Sequence, residues 1–273
     1  MMTVLVVSLI IVVLVALLFL FLRAETKNDD VPPKVIWTYW NEDPVPEFIN
    51  MCIETWRKEN PEYTVNIVND KNLESFVGLD EAQAIKNWKY NDSPQRMSDL
   101  VRLSILSAYG GTWLDASIIC YESLDWAFKE PKCQVYSIPE LSTEEDPLIE
   151  SWFISCKPED PFVTLWNKEF RSVENFDTID DYVKEADVSM RGIDFPNYLL
   201  VYVCAKKVYR ELGSSSVKIL NATEGPYSYH MRGGVSSLCE RRPAKLIKFR
   251  KEDRAAMDDQ TRTCAFDKNV STD

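Results

Sequence analysis

Asp99-Leu-Val-Arg102, followed by Tyr109-Gly-Gly-Thr-Trp-Leu-Asp-Ala-Ser117, is the stretch that decides the fold of this chain. It predicts a helix with a charged face, a glycine stop, and a short strand that carries a carboxylate at its end. Ser93 is placed to cap the helix and Pro94 suits its first position. Gly110-Gly111 ends it, because glycine accepts the left-handed backbone common at helix ends. Arg96, Asp99 and Arg102 recur every three residues and so share one side of the helix. Asp115 and Ser117 alternate with Leu114, Ala116 and Ile118, which predicts two small oxygen-bearing side chains on one face of the strand. Oxygen ligands at a strand end beside arginines meet the needs of a divalent cation and a diphosphate.

Upstream, Lys34 to Trp40 is a run of β-branched and aromatic residues, read as the first core strand. Pro46 to Glu59 has helical spacing, with Ile49, Cys52, Ile53 and Trp56 on one side. Tyr63 to Val68 reads as a second strand, and helices near Leu73 and over Glu81 to Tyr90 lead to the signature helix. That order predicts an α/β fold, a mostly parallel sheet flanked by helices. Downstream, strands are expected over Gln134–Ile138, Trp152–Cys156 and Val217–Leu220, and helices over Phe162–Phe170 and Tyr198–Leu212.

Val4 to Leu22 is an apolar run broken only by Ser8. At about 1.5 Å per residue it nearly matches a hydrocarbon core of roughly 30 Å, and no small-x-small cleavage site precedes Arg23. The expected organisation is therefore a transmembrane anchor over residues 1–24, a stalk over 25–33 ending in Pro32-Pro33, and one globular domain over 34–273. Arg23 and Lys27 follow the run, so the positive-inside rule points the domain to the cytosol. Asn221-Ala-Thr223 and Asn269-Val-Ser271 are N-glycosylation triplets and point it to the lumen. The net charge of −12 excludes a nucleic-acid partner, because phosphate backbones demand a basic surface. The acidic patches Glu144-Glu-Asp146 and Asp177 to Asp187 read as solvated surface. The 7 cysteines form no CxxC pair and no Cys/His cluster, which speaks against zinc.

The run from Asp92 to Asp125 resembles the sugar-nucleotide site of glycosyltransferases with an Asp-x-Asp motif, in particular those of the capsular-polysaccharide-synthesis type. Weaker similarity extends over Pro33-Lys-Val-Ile-Trp-Thr-Tyr-Trp40, Asn60-Pro-Glu-Tyr63, Ser151 to Pro158 and Asp160-Pro161. One departure stands out: Ser117 occupies the place of the second aspartate, which opens the question of how many protein ligands a metal would have. The resemblance implies a GT-A-type, Rossmann-like domain behind a single anchor helix. It implies transfer of a hexose or amino-hexose from a nucleoside-diphosphate sugar to a glycan or polysaccharide hydroxyl, with retention of configuration. A divalent cation, Mn²⁺ or Mg²⁺, is expected to assist, and the chain is expected as a type II membrane protein of the Golgi or ER with a lumenal domain.

Asp115 is the first candidate for contact with the metal or sugar; Ser117 is a second ligand or a plain buried hydroxyl. By resemblance, Asp99 and Arg102 hold donor-sugar hydroxyls and complete the catalytic set with Asp115. The donor site is expected to include Trp37, Thr38 and Tyr39 at the end of the first strand, because ligands of open α/β sheets lie beyond the carboxyl ends of strands. Arg96 contacts the diphosphate or is solvated, and Gly111 lines the donor. His230, the only histidine, follows Gly225-Pro226, which resembles a turn near the site in related transferases. It is expected to complete the metal shell or to be an ordinary surface or core residue. Asp194, Asn197 and Tyr198 are the acceptor candidates.

Three rival functions are set against this reading. A catalytically silent nucleotide-sugar- or glycan-binding protein is motivated by Asp115-Ala-Ser117. A glycoside hydrolase would explain paired carboxylates but not the arginines. An oxidoreductase lacks its G-x-G-x-x-G fingerprint.

Overall fold

In the computed structural model, residues 31–129, 131–240 and 244–267 are described. The expected anchor, nearly all of the stalk and the Asn269 triplet lie outside them. Among the described residues no helix is long and apolar enough to cross a membrane.

The core is a six-stranded sheet of order β2-β1-β3-β6-β5-β7, built from β1 (Val35–Tyr39), β2 (Thr64–Val68), β3 (Gly111–Leu114), β5 (Cys133–Ser137), β6 (Ile149–Cys156) and β7 (Val217–Asn221). β1 runs parallel to β2 and β3, and β5 runs parallel to β7. β6 is antiparallel to both of its neighbours, β3 and β5. Residue alternation along each strand divides the interior in two. Trp37, Trp113, Val135 and Ile154 join one buried cluster, and Ile36, Leu114, Tyr136 and Phe153 join the other. A sheet buried on both faces needs helices on both, which is the α/β arrangement that the order of elements predicts.

The first cluster packs against α3 (Leu79–Asn87), α4 (Pro94–Tyr109), α5 (Pro161–Ser172) and α7 (Leu200–Leu212), preceded in the chain by the short α2 (Leu73–Val77); α6 (Ile179–Ala186) closes over α7. On the opposite face lies α1 (Glu47–Glu59), whose Ile49, Cys52, Ile53 and Trp56 are all buried. Ile49 and Ile53 are each worth about 1.5–3 kcal/mol of hydrophobic stabilisation. Trp56 Nε1 also donates to the carbonyl of Ile118 at 2.7 Å, tying α1 to β4 (Ile118–Cys120). β4 pairs antiparallel with β8 (Leu246–Lys248) in a separate two-stranded sheet.

The signature helix forms as its residues dictate. The Ser93 hydroxyl accepts from the Arg96 N–H at 3.3 Å, and Pro94 occupies the first turn. Its exit requires two glycines. Gly110 (φ +62°) has no room for a Cβ, which would lie 2.5 Å from the Pro158 nitrogen; one on Gly111 (φ +99°) would lie 2.7 Å from the Val35 carbonyl.

Several expectations change in the structure. β3 ends at Leu114, so Asp115-Ala116-Ser117 is a turn between β3 and β4 rather than more strand. β6 begins at Ile149, earlier than expected, which places Glu150 on it. Asp146 is not solvated surface: it is 1 % exposed, accepts from Arg210 and from the Ser189 N–H, and fixes the segment after α6. The C-terminal elements β8, α8 (Lys251–Ala256) and α9 (Asp259–Phe266) are not legible from periodicity, β8 being only three residues long and the two helices short and polar. A Cys239–Cys264 disulfide, Cα–Cα 4.9 Å, pins α9 to the segment ahead of β8.

Candidate functional site

A cleft of about 680 Å³ opens at the carboxyl ends of β1 and β3. Its walls come from the start of α4, the turn after β3, the start of β6, the segment leading into α7, and β8 with α8. It is the place where open α/β sheets bind ligands.

Asp115 sits at its floor, largely buried, with both carboxylate oxygens bonded. Its backbone N–H extends the β3–β6 ladder by one bond, to Trp152 O at 2.9 Å. Its Oδ1 accepts from Arg102 Nη2 at 2.9 Å and from Trp113 Nε1 at 3.1 Å. Its Oδ2 accepts from Lys248 Nζ at 2.9 Å. Lys248 Nζ lies 3.0 Å from Ser117 Oγ, which itself donates to the Phe249 carbonyl at 2.8 Å. Arg102 is 4 % exposed, pairs with Asp99 through Nη1, and lies 4.9 Å from the Trp113 ring centre. Burial acts to raise the Asp115 carboxyl, but Lys248 and Arg102 outweigh it and hold Asp115 well below the ordinary carboxylate range. The same burial, only partly countered by Arg102, pushes Asp99 up to about 6.

Glu150 brings a further carboxylate to the cleft. Glu150 Oε2 accepts from Tyr202 OH at 2.9 Å, and burial pushes Glu150 up to about 6 against that bond and the charge of Arg250. Arg250 lies 4.7 Å from the Tyr227 ring centre. The wall therefore carries Arg102, Lys248, Arg250, Lys251 and Arg254 against Asp99, Asp115, Glu150 and Glu252. A net-positive cleft in a chain of net charge −12 is suited to an anionic ligand.

Of the residues read from the sequence, Asp99, Arg102, Asp115 and Ser117 meet on this wall, with Tyr39 and the exposed Tyr198. Tyr39 OH donates to Asp70 at 2.7 Å. Trp37 faces away, buried, with Nε1 donating to the Gly110 carbonyl at 3.0 Å; Gly111 backs onto it, and Thr38 is buried in the sheet. Arg96 is neither solvated nor on the wall: Nη2 holds the Asn197 carbonyl at 2.7 Å and its Oδ1 at 3.2 Å, fixing the segment that carries Tyr198. Asp194 is exposed and does not line the cleft.

The expected metal set of Asp115, Ser117 and His230 does not assemble. His230 stacks on Tyr229, ring centres 4.1 Å apart, with Nε2 3.6 Å from Asp253 Oδ2, and it is not a wall residue. Burial lowers its pKa and favours the neutral ring, despite Asp253. Both oxygens of Asp115 accept bonds from cations, Oδ1 from Arg102 and Oδ2 from Lys248, and the ammonium of Lys248 lies between Asp115 and Ser117. Among the described residues no three His, Cys, Asp or Glu side chains come together to hold a metal ion. A divalent cation wants several oxygens free of competing charge, so these residues do not fit one.

Lys248, Glu150, Tyr202, Tyr227 and Arg250 escaped the sequence reading. The only available signal was the alternation of Lys248 and Arg250 on either side of Phe249.

A family model described as capsular polysaccharide synthesis protein matches residues 18–185. The O-glycosyltransferase braB of Annulohypoxylon truncatum is 26 % identical over 166 residues, 55 % of this chain and 39 % of that protein. The glycosyltransferase afumC of Aspergillus fumigatus is 22 % identical over 161 residues, 53 % of this chain and 41 % of that protein. The chain thus spans about two fifths of the length of the curated relatives it matches. Among solved structures, the PaToxG glycosyltransferase has a TM-score of 0.41 at 17 % identity, covering 71 % of this chain and 77 % of that one. The galactosyltransferase LgtC, solved with donor and acceptor sugar analogs, has a TM-score of 0.44 at 10 % identity, covering 85 % and 95 %.

Proposed function

This chain belongs to the family of capsular polysaccharide synthesis proteins, and from that premise we propose that it is a glycosyltransferase with a GT-A-type donor site. The observation that carries the reading is the Arg102–Asp115–Lys248 network on the floor of a net-positive cleft at the strand ends. The substrate is a nucleoside-diphosphate hexose or amino-hexose, and the acceptor is a glycan or polysaccharide hydroxyl. The diphosphate lies along Lys248 and Arg250, where cations offset the charge that grows as it leaves. Asp99 and Arg102 hold hydroxyls of the donor sugar. Asp115 keeps Arg102 and Lys248 in place, so that neither must reorganise during the reaction. The acceptor enters past Tyr198, which the Arg96 clasp on Asn197 positions.

In the retaining course, the bond from the anomeric carbon to the β-phosphate oxygen breaks. The acceptor oxygen bonds the same face of the sugar, and its proton passes to the departing phosphate. An inverting course would need a carboxylate base across the ring, and Glu150, held near the working pH range, is the cleft residue for it. The anomeric configuration of the product, read by NMR, separates the two.

The anchor over residues 1–24 and a lumenal orientation are part of the same proposal. A Cys239–Cys264 disulfide suits an oxidising compartment, and Asn221 ends β7 where an acceptor asparagine could be reached. The test is nucleotide release by the full chain in detergent against a panel of UDP- and GDP-sugars, with Mn²⁺, with Mg²⁺ and with EDTA, beside Asp115→Ala. Turnover of one donor, lost in the variant, is expected. Donor binding without turnover on any acceptor would mark a silent binding protein, and no binding would overturn the reading.

A further inference from the structure

The ammonium of Lys248 stands between the two oxygens on which a cation would have to rest. It is 2.9 Å from Asp115 Oδ2 and 3.0 Å from Ser117 Oγ. Its side chain is 13 % exposed, so it is not a surface lysine that happened to fold inward. The backbone that delivers it is held on several sides. Lys248 pairs with Ile118 across the β4–β8 ladder, and its N–H donates to the Pro226 carbonyl at 3.3 Å. Its carbonyl accepts from Tyr229 OH at 2.9 Å. Ser117 and Phe249 exchange bonds beside it, Phe249 N–H to Ser117 O at 3.1 Å and Ser117 Oγ to Phe249 O at 2.8 Å. Admitting an ion between these oxygens would mean swinging the Lys248 side chain out of the gap and giving up its bonds to Asp115 and Ser117, because the strand that carries it is fixed.

A divalent ion resting on Asp115 and Ser117 would also lie within contact range of a positive charge, with Asp115 the carboxylate touching both. A lysine ammonium has three N–H donors. Asp115 and Ser117 take two, which leaves one for an oxygen in the cleft that Lys248 lines. Arg102 holds the opposite oxygen of Asp115, so the carboxylate is shared between two cations.

We propose that Lys248 takes the place of the divalent cation at this site, contacting the diphosphate directly, so that the chain binds a nucleoside diphosphate without metal. The proposal rests on the reading that the cleft accepts a nucleoside diphosphate. The lysine supplies charge and one hydrogen bond, and no bond is made or broken at its nitrogen. Ser117 accordingly serves as a hydrogen-bond partner of the lysine. A second carboxylate there would instead favour a metal.

The test uses the full chain in detergent, with UDP and GDP titrated calorimetrically in EDTA and again in saturating Mn²⁺. Mn²⁺ alone is also titrated and followed by the loss of its free-ion EPR signal. The expected result is diphosphate binding that agrees within about twofold in the two buffers, with no tight Mn²⁺ site in the absence of nucleotide. Lys248→Met should weaken the diphosphate by roughly tenfold to a hundredfold in both buffers, and Lys248→Arg should recover part of the loss. Nucleotide binding that requires Mn²⁺, or a Mn²⁺ site abolished by Asp115→Asn, would overturn the proposal while leaving the transferase reading intact. Absence of diphosphate binding in both buffers would overturn both. The two wild-type titrations decide the matter even if Lys248→Met does not fold.

Discussion

The two walls of the cleft reach it by different routes. On one, Asp99, Arg102 and Asp115 lie within a single helix, a glycine pair and a turn, and all fall inside the stretch matched by the family model. On the other, Lys248 ends a short strand far along the chain, outside that stretch, brought in by pairing with β4, and Arg250 follows it at the start of α8; a disulfide joins the segments on either side. The first wall is specified by local spacing. The second depends on long-range pairing, and it carries the charge that the Asp115-Ala-Ser117 turn lacks for holding a phosphate.

Asp115 is where the walls join, so its removal has the largest expected effect. Asp115→Asn should lower donor turnover by about 100- to 1000-fold, measured as nucleotide release, because Arg102 and Lys248 lose the charge that orders both. A loss under tenfold would mean that each wall holds its cations independently.

Gly110→Ala strikes the first wall alone. A Cβ meeting backbone atoms at 2.5 Å, on a residue with φ +62°, should cost about 3 kcal/mol and lower Tm by roughly 6–12 °C in a thermal melt. An unchanged Tm would show that the turn into β3 is free to adjust.

Cys264→Ser strikes the second wall alone. Cutting a loop of sequence separation 25 should cost about 2–4 kcal/mol and loosen α9 and β8. Hydrogen exchange should then rise at 246–248 and not at 111–114; an equal rise in both would merge the two regions into one cooperative unit.

The smallest effect concerns Glu150. Its ordinary value is 4.5 and burial pushes it up to about 6, so the folded chain takes up this proton before the unfolded chain does. The contribution of Glu150 to stability is therefore fully present below pH 4.5 and is lost as pH rises through about 6, by about 2 kcal/mol. Glu150→Gln should remove that part of the pH dependence in denaturant titrations at the two ends of the range. An unaltered slope would place its proton uptake elsewhere.

The contrast between the walls also explains what was legible beforehand. Helix α4 could be read because Ser93, Pro94 and the glycine pair mark its ends locally, and α1 because Ile49, Cys52, Ile53 and Trp56 repeat at helical spacing. Arg96 was misread because a cation on a helix face reads as solvated or ligand-bound, whereas its partner, Asn197, is distant in sequence. Asp146 reads as solvated for the same reason: it lies in a loop, and the Arg210 that neutralises it belongs to the distant helix α7. His230 reads as a ligand because nothing local discloses that it packs on Tyr229 near Asp253, away from the cleft wall.

By itself the sequence determined the α/β class, the order of the first elements, the helix–glycine–strand unit and the carboxylate at its end. Those depend on periodicity, capping and glycine stereochemistry, which act over a few residues. Only the tertiary structure decided that β6 runs antiparallel within the sheet, that Asp115-Ala-Ser117 is a turn, and that a lysine lies between its oxygens. Such pairings cost loop-closure entropy and are settled by burial and charge compensation between distant segments, neither of which leaves a periodic trace along the chain.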